Sequence, residues 1–125
     1  MPVARKVLMI VSWLFLLGIA VQFLLAGTGL PQLGGGDIEP HRLFGYSALQ
    51  LPPFIMLAAA FLGRVPQPLL IMTAVLTVLS VVQPFWVSLF QGEFLASFHV
   101  LSGLFMAGLT HAIASRTSKL VRAEA

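Results

Sequence analysis

Apolar residues fill four long stretches of this 125-residue chain, and polar residues are largely confined to the short segments between them. A helix needs roughly 20 apolar residues to cross a bilayer core about 30 Å thick, and each stretch is long enough. The sequence therefore predicts an all-α protein, a four-helix transmembrane bundle forming a single domain over residues 1–125. The four predicted spans, numbered 1 to 4 in chain order, cover residues 7–26, 43–62, 68–90 and 94–114.

Composition and charge agree with a protein that lies in the lipid bilayer. Hydrophobic residues make up 58% of the chain and charged residues 9%, which is too apolar for a soluble domain of this size. Six of the seven basic residues flank the ends of the spans that share a side with the N-terminus, and Arg42 alone falls on the other side. These six are Arg5, Lys6, Arg64, Arg116, Lys119 and Arg122. The positive-inside rule then predicts a multi-pass protein of the bacterial cytoplasmic membrane with both termini in the cytoplasm. Because the basic residues stand singly, no nucleic-acid partner is expected.

Span 1 has an alternative interpretation as a cleaved signal peptide. It follows a basic N-terminal segment, and the small residues Ala26 and Gly27 resemble a cleavage site. Its apolar run is longer than the usual 7–15 residues, however, and Gln22 mirrors Gln83 in span 3. We therefore expect a retained helix that belongs to the bundle. The chain has no cysteine, which excludes disulfides and thiolate metal sites.

Two matching histidine motifs suggest that the second half of the chain repeats the first. Each motif has the form His-x-x-x-Gly, stands near the start of a span, and follows a span that ends in Val-Gln. Ionisable residues are rare in membrane spans and are functional candidates by default. Two of them at equivalent points of a repeat give a stronger indication, and predict two parallel helical hairpins related by an axis along the membrane normal. The motifs are His41-Arg42-Leu43-Phe44-Gly45 and His99-Val100-Leu101-Ser102-Gly103.

These motifs carry the ingredients of a haem b site. His41 and His99 lie on alternate helices of the predicted bundle, where side chains can hold a cofactor in the core and ligate haem iron. Gly45 and Gly103, one turn further along, let helices approach closely or leave room for a flat ligand. Arg42 lies at the outer rim, where a guanidinium can pair with a haem propionate. The alternative is a cofactor-free bundle in which the histidines only pack between helices.

The depth of the two histidines constrains this hypothesis. At about 1.5 Å per residue, His41 lies roughly 33 Å from the inner end of span 2 and His99 roughly 24 Å from the inner end of span 4. The difference shrinks if the helix of span 4 continues to Lys119, or if Pro52-Pro53 kinks and shortens span 2. The glycines clustered between residues 27 and 36 predict an irregular outer loop.

The remaining polar residues suggest an interfacial role for one histidine and a second type of metal site. His111 is expected near the inner face as an interfacial side chain, since span 2 offers no histidine opposite it. A zinc or copper site would need three or more nitrogen, oxygen or sulfur ligands. The candidates that could converge on the outer face are His41, His99, Glu39 and Glu93.

The motifs also carry two resemblances. The Val21-Gln22-Phe23 end of span 1, the segment from Gly35 to Gly45 and the span 4 motif resemble a family of small bacterial four-helix membrane proteins of unassigned function, over nearly the full length. More loosely, an acidic segment followed by His41-Arg42, with a second histidine opening span 4, resembles one four-helix half of haem A synthase and b-type membrane cytochromes. That resemblance implies His41 and His99 as axial haem ligands. Because this sequence contains only one such half, it implies haem binding and not haem modification.

The leading functional hypothesis from the sequence is a b-type haem protein for electron transfer or haem handling, with a membrane redox partner or a second copy of itself. No catalytic residue is identified, and an enzyme is not the expectation. The alternative is a structural or accessory membrane protein without cofactor. A small transporter finds no support, since no charged residue lies near the predicted midplane.

Overall fold

The computed structural model describes residues 2–31 and 35–124, which form five α-helices and no strand. Span 2 consists of two helices in succession, and span 4 of one helix preceded by one turn of 3-10 helix. Residues 32–34 of the predicted glycine-rich loop lie outside the described part. The helices are α1 (Pro2–Thr28), α2 (Glu39–Ala48), α3 (Pro52–Leu62), α4 (Gln67–Leu89) and α5 (Phe98–Ala123), with the 3-10 turn at Phe94–Ser97.

The helices form four spans that are long and apolar enough to cross a membrane. At most 22% of the residues in the apolar stretch of any span are buried inside the bundle, so most large apolar side chains face outward. A soluble protein does not expose so much contiguous apolar surface. The chain is therefore a multi-pass membrane protein, and the predicted all-α four-helix bundle is confirmed.

Two helices are longer than the spans predicted from hydropathy. Helix α1 begins at Pro2, before the predicted start at residue 7, and α5 runs to Ala123, beyond the predicted end at residue 114. Hydropathy marks where a helix leaves the membrane, whereas the hydrogen-bond ladder continues through polar residues such as Arg116 and Lys119, which are good helix formers. The extension of α5 removes much of the expected difference in depth between the two histidines.

The spans are arranged in a ring in which each packs on its two neighbours. Helix α1 packs against α5 and against both helices of span 2, while α4 packs against α3 and α5. Spans 2 and 4, which carry the two histidines, therefore stand diagonally across the bundle. Following the predicted orientation, we call the half of the bundle that holds the N-terminus the inner half and the opposite one the outer half. The closed core lies in the inner half, where hydroxyl groups donate to carbonyls one turn back in their own helices, as Thr110 does to Met106 at 2.7 Å. Its largest fully buried apolar side chains are Phe15, Leu8, Met56, Leu76 and Ile113.

The predicted kink in span 2 is a complete break. Residues 49–51 are not helical, because Pro52 and Pro53 have no N–H to donate to the carbonyls of Ala48 and Leu49. Below the break, the Thr77 hydroxyl donates to the Pro53 carbonyl at 3.1 Å and fastens α3 to α4. Above it, α2 packs mainly on α1, so the outer half of the bundle is open between α2, α4 and α5.

Arg5 joins three separate parts of the chain at the inner end. Its guanidinium donates to the Gly63 carbonyl at 2.7 Å and the Arg64 carbonyl at 3.1 Å, and it pairs with Glu124. The N-terminus, the turn between spans 2 and 3 and the end of α5 therefore share one end of the bundle. Arg42 lies at the opposite end, so the basic residues are distributed between the two ends as predicted. Which end faces the cytoplasm stays a prediction.

Candidate functional site

Both histidines of the repeated motifs are held by the glutamine of the preceding span. Nδ1 of His41 lies 3.0 Å from the Gln22 carbonyl oxygen, and Nδ1 of His99 lies 3.0 Å from the Gln83 carbonyl oxygen. Because a carbonyl oxygen only accepts hydrogen bonds, Nδ1 must carry the proton in both rings. In the neutral imidazole, Nε2 then keeps its lone pair, which is the form that binds metals.

Each glutamine returns a second hydrogen bond to the backbone of its histidine. The Gln22 amide donates to the His41 carbonyl at 2.9 Å, and the Gln83 amide donates to the His99 carbonyl at 2.7 Å. We call each reciprocal pair a Gln–His clasp: Gln22 with His41, and Gln83 with His99. The same two bonds at equivalent positions of both hairpins agree with the internal repeat that the sequence predicted.

The motif glycines make room for these clasps. A Cβ atom at Gly45 would lie 2.7 Å from the Gln22 side-chain nitrogen, and one at Gly103 would lie 3.3 Å from that of Gln83. Both glycines also border the central cavity. The immediate neighbour of each is thus a glutamine amide, a contact that the sequence did not identify. Their assignment to cofactor binding stays a prediction.

The two imidazoles face each other across the bundle. Their ring centroids are 6.0 Å apart and the rings are inclined by 72°, with both side chains partly buried. The prediction that His41 and His99 point into one outer cavity, within roughly 15 Å of each other, is therefore confirmed. The break at residues 49–51 and the length of α5 bring the two histidines to the same depth.

The cavity between the histidines has a volume of about 780 Å³. Small-molecule and cofactor sites generally measure about 300–1,000 Å³ and are mostly apolar, as this one is. Phe15 and Met106, which belong to the closed inner core, form its inner end. Arg42 lies at the outer rim, where its exposed guanidinium is 3.2 Å from Glu39. The cavity thus has an apolar interior, two imidazoles within it and a cation at its mouth.

The two clasps differ in two contacts. The oxygen of the Gln83 side chain accepts a hydrogen bond from the Ser102 hydroxyl. The repeat places Phe44 at the equivalent position of the first motif, and the oxygen of the Gln22 side chain is buried without a partner among the described residues. The nitrogen of that same amide lies 3.3 Å from Nε2 of His41. The sequence shows this difference, since Phe44 and Ser102 occupy the same position in the two motifs. Its effect on the glutamine oxygens is visible only in the structure.

The remaining polar candidates lie elsewhere. The His111 ring meets the Trp13 ring edge-on at a centroid distance of 5.9 Å, in the inner half and away from the cavity. Within residues 2–31 and 35–124, no three His, Cys, Asp or Glu side chains come together as metal ligands. The expectation that Glu39 and Glu93 could join the histidines in a zinc or copper site is therefore wrong: Glu39 pairs with Arg42 instead.

Comparison with known proteins identifies the family. The model of a family of unknown function (DUF6220) matches residues 22–93, more than half of the chain, and the chain belongs to this family. The matched segment begins at the first clasp glutamine and includes His41 and Gln83. No curated protein and no solved structure matches the chain, so these comparisons add no support to the resemblance to haem A synthase and b-type cytochromes.

Proposed function

We propose that this DUF6220 protein binds a b-type haem in its outer cavity, with His41 and His99 as the axial ligands. The observation that carries the proposal is the pair of facing imidazoles, each with Nδ1–H donated to a backbone carbonyl. Metal-binding histidines almost always donate their other ring N–H in this way, which fixes the tautomer and orients the ring. Two histidines that served only to pack helices would not need the same tautomer and a place in the same cavity.

The separation of the rings also supports the proposal. A bond between a metal and an imidazole nitrogen is about 2.0–2.1 Å long, so two imidazoles that share one metal have centroids roughly 6 Å apart. The observed separation is 6.0 Å. The volume and apolar lining of the cavity suit a large flat cofactor, and Arg42 at its mouth suits the carboxylates that haem carries.

A bound haem supplies one-electron redox chemistry or is itself the cargo. The chain would supply the rest: His41 and His99 would hold the iron, the two clasps keep the rings in one tautomer, and the apolar walls would exclude water. We further propose that the protein lies in the bacterial cytoplasmic membrane with both termini inside. The cavity would then open toward the outer face, accessible to a redox partner in the membrane or to a second copy of the chain.

An absorption spectrum tests the proposal. Protein expressed with adequate haem supply and purified in detergent should show the Soret and α bands of low-spin haem. His41→Ala and His99→Ala should each abolish or convert that spectrum, while His111→Ala, in the inner half, should leave it unchanged. A folded but colourless protein, or a spectrum that is indifferent to both cavity substitutions, would contradict the proposal.

A second candidate function is that of a cofactor-free accessory membrane protein whose clasps only fasten its hairpins. The Gln22 amide nitrogen, 3.3 Å from Nε2 of His41, favours this candidate because it occupies the lone pair that iron would need. If it is correct, Gln83→Ala should destabilise the bundle as much as His99→Ala does. Under the haem proposal, only the histidine substitution removes the chromophore.

A further inference from the structure

We infer that the two histidines of the proposed haem site have different tasks: His99 is the permanent iron ligand, and His41 is an exchangeable ligand that gives way to a small neutral ligand such as carbon monoxide or imidazole. This inference rests on the proposed function. It assigns to the His41 side of the cavity a binding site for exogenous ligands, controlled by the side chain of Gln22.

The clasp of His99 leaves its Nε2 unoccupied. Both ends of the Gln83 amide have partners, because its nitrogen donates to the His99 carbonyl and its oxygen accepts from the Ser102 hydroxyl. Within the described residues, Nε2 of His99 makes no hydrogen bond, although Nδ1 of the same ring is bonded at 3.0 Å. The ring is therefore oriented for ligation before iron arrives, and no internal donor competes for its lone pair.

The clasp of His41 has a competing donor. The Gln22 nitrogen has two hydrogens, of which one goes to the His41 carbonyl at 2.9 Å and the other faces Nε2 of the same ring at 3.3 Å. With Phe44 in place of the serine, nothing holds the oxygen of this amide, which is buried without a partner. The amide is therefore free to return to Nε2 of His41 whenever that atom leaves the iron.

The helices that carry the two histidines are also supported differently. Helix α5, which begins at Phe98 and carries His99 in its first turn, packs along both α1 and α4. Helix α2, which carries His41, packs mainly on α1 and is separated from the rest of span 2 by the non-helical residues 49–51. A displacement of α2 would change the break and the contacts of α2 with α1, whereas a displacement of α5 would also disturb the inner core.

Ligand exchange at His41 needs no other reactant. Nε2 of His41, once released, would accept a hydrogen bond from the Gln22 amide, and the incoming ligand would take the place that Nε2 leaves. Nδ1 of His41 keeps its bond to the Gln22 carbonyl throughout. The internal hydrogen bond thus favours the released state of His41 by about five- to tenfold over a site that lacks it.

Alanine substitutions test the asymmetry. His99→Ala should lose the haem during purification. His41→Ala should retain it in a high-spin form and bind carbon monoxide, in the reduced state, at least about tenfold more tightly than the unchanged protein, because no internal ligand competes. Equal loss of haem in both variants, or retention in His99→Ala and loss in His41→Ala, would overturn the inference. A colourless unchanged protein would instead refute the haem proposal itself, so the two failures are distinguishable.

A matched pair at position 44 tests the role of the Gln22 amide. Phe44→Ser introduces the hydroxyl that the other motif has, whereas Phe44→Ala removes the same ring without supplying one. The hydroxyl should hold the Gln22 oxygen, withdraw the amide from His41 and weaken carbon monoxide binding several-fold relative to Phe44→Ala. Equal affinities in the two variants would contradict the inference.

A readout without haem completes the test. In the haem-free protein, the ¹⁵N resonance of Nε2 of His41 should shift when Gln22→Ala removes its donor. The ¹⁵N resonance of Nε2 of His99 should shift much less in Gln83→Ala, because the Gln83 amide does not donate to that atom. Equal responses at the two sites would contradict the asymmetry whether or not haem binds.

Discussion

At the scale of single residues, the glutamines organise the site more than the glycines do. Gln22 and Gln83 each bind the ring and the backbone of a histidine on the neighbouring span, which fixes both the tautomer and the direction of the imidazole. Gly45 and Gly103 give the glutamine amides the space they occupy, and the contact is closer at Gly45 than at Gly103. The repeated motif is thus better described as Gln with His-x-x-x-Gly, since none of the three residue types is sufficient without the others.

The glycines give the first prediction at this scale. In Gly45→Ala, the new Cβ would lie 2.7 Å from the Gln22 nitrogen, so the amide must move and lose its bonds to His41. The bundle should lose only about 0.5–1.5 kcal/mol of stability, since the displaced group is the flexible end of a side chain and alanine favours the helix. The free energy of haem binding should decrease by more than the free energy of unfolding. A haem titration and detergent denaturation of the same sample would measure the two quantities separately.

Matched variants control this prediction. Gly103→Ala brings a milder contact of 3.3 Å with Gln83 and should lie within about 1 kcal/mol of the unchanged protein. Adding Gln22→Ala to Gly45→Ala removes the close contact, so the double variant should be no worse than Gln22→Ala alone. Additive losses in that double variant would show that the glycine acts through something other than the amide.

The sequence predicted that His41 and His99 share one cavity, but it did not show that Gly45 and Gly103 lie against the glutamine amides. Spacing along one helix shows which residues share a face, and this placed each glycine one turn from its histidine. It does not show which side chain of the neighbouring helix enters the space that a glycine leaves. That Gln22 and Gln83 bind the two histidines therefore required coordinates.

At the scale of helices, the break in span 2 separates a packed inner half from an open outer half. Pro52 and Pro53 end the hydrogen-bond ladder partway along span 2, so α2 and α3 are separate helices. Irregular backbone at this depth is tolerated where it is covered by protein or lines a cavity, and Leu49 and Gln50 both border the central cavity. The break therefore determines where α2 carries His41.

Removing both prolines gives the second prediction. Pro52→Ala with Pro53→Ala should let α2 and α3 join in one helix and turn His41 away from His99. The chain has no cysteine, so His41→Cys with His99→Cys can be cross-linked by a short bifunctional thiol reagent without background. We expect efficient cross-linking with the prolines and a several-fold lower yield without them. The pair Trp13→Cys with His111→Cys, whose parent rings are 5.9 Å apart in the inner half, should cross-link equally in both backgrounds.

Arg5 gives the third prediction, at the inner ends of the helices. Its guanidinium binds the carbonyls of Gly63 and Arg64, which follow α3, and its side chain is only 21% exposed. Arg5→Ala should therefore lower the free energy of unfolding by about 1–3 kcal/mol, the value of hydrogen bonds to a charged group. Arg5→Lys should not restore it, since an ammonium group lacks the fork that reaches both carbonyls. Glu124→Ala removes only the more exposed ion pair and should lower stability by less than about 1 kcal/mol; an effect equal to that of Arg5→Ala would contradict this division.

The sequence located the four spans well and their ends poorly. Hydropathy identified the apolar stretches, and the missing N–H groups of Pro52 and Pro53 predicted a kink where the structure has a break. It could not detect that α5 continues to Ala123, because the residues beyond 114 are polar yet helical. It also could not indicate that α1 continues to Thr28 through Gly27, where the glycines predicted an irregular loop.

At the scale of the whole molecule, the two ends of the bundle have different roles. The inner end is closed by the core and by Arg5, which joins three segments of the chain, while the outer end contains the cavity and both histidines. The side of the membrane that the cavity faces therefore decides which partners and which source of haem are accessible to it. This makes membrane orientation a functional question for this protein.

Orientation gives the fourth prediction. Because six of the seven basic residues lie toward the end that holds Arg5 and Arg64, both termini should be cytoplasmic. A reporter that is active only in the cytoplasm should be active when fused after Glu124, and one that is active only outside should be active when inserted between Gly35 and Gly36. Adding positive charge to the outer segment through Asp37→Lys with Glu39→Lys should lower the signal of both reporters, because the charge difference that directs insertion is reduced. Glu39→Gln adds no positive charge and should change neither signal appreciably. An active outside reporter after Glu124 would place the cavity on the cytoplasmic face, and the haem proposal would then require a cytoplasmic partner.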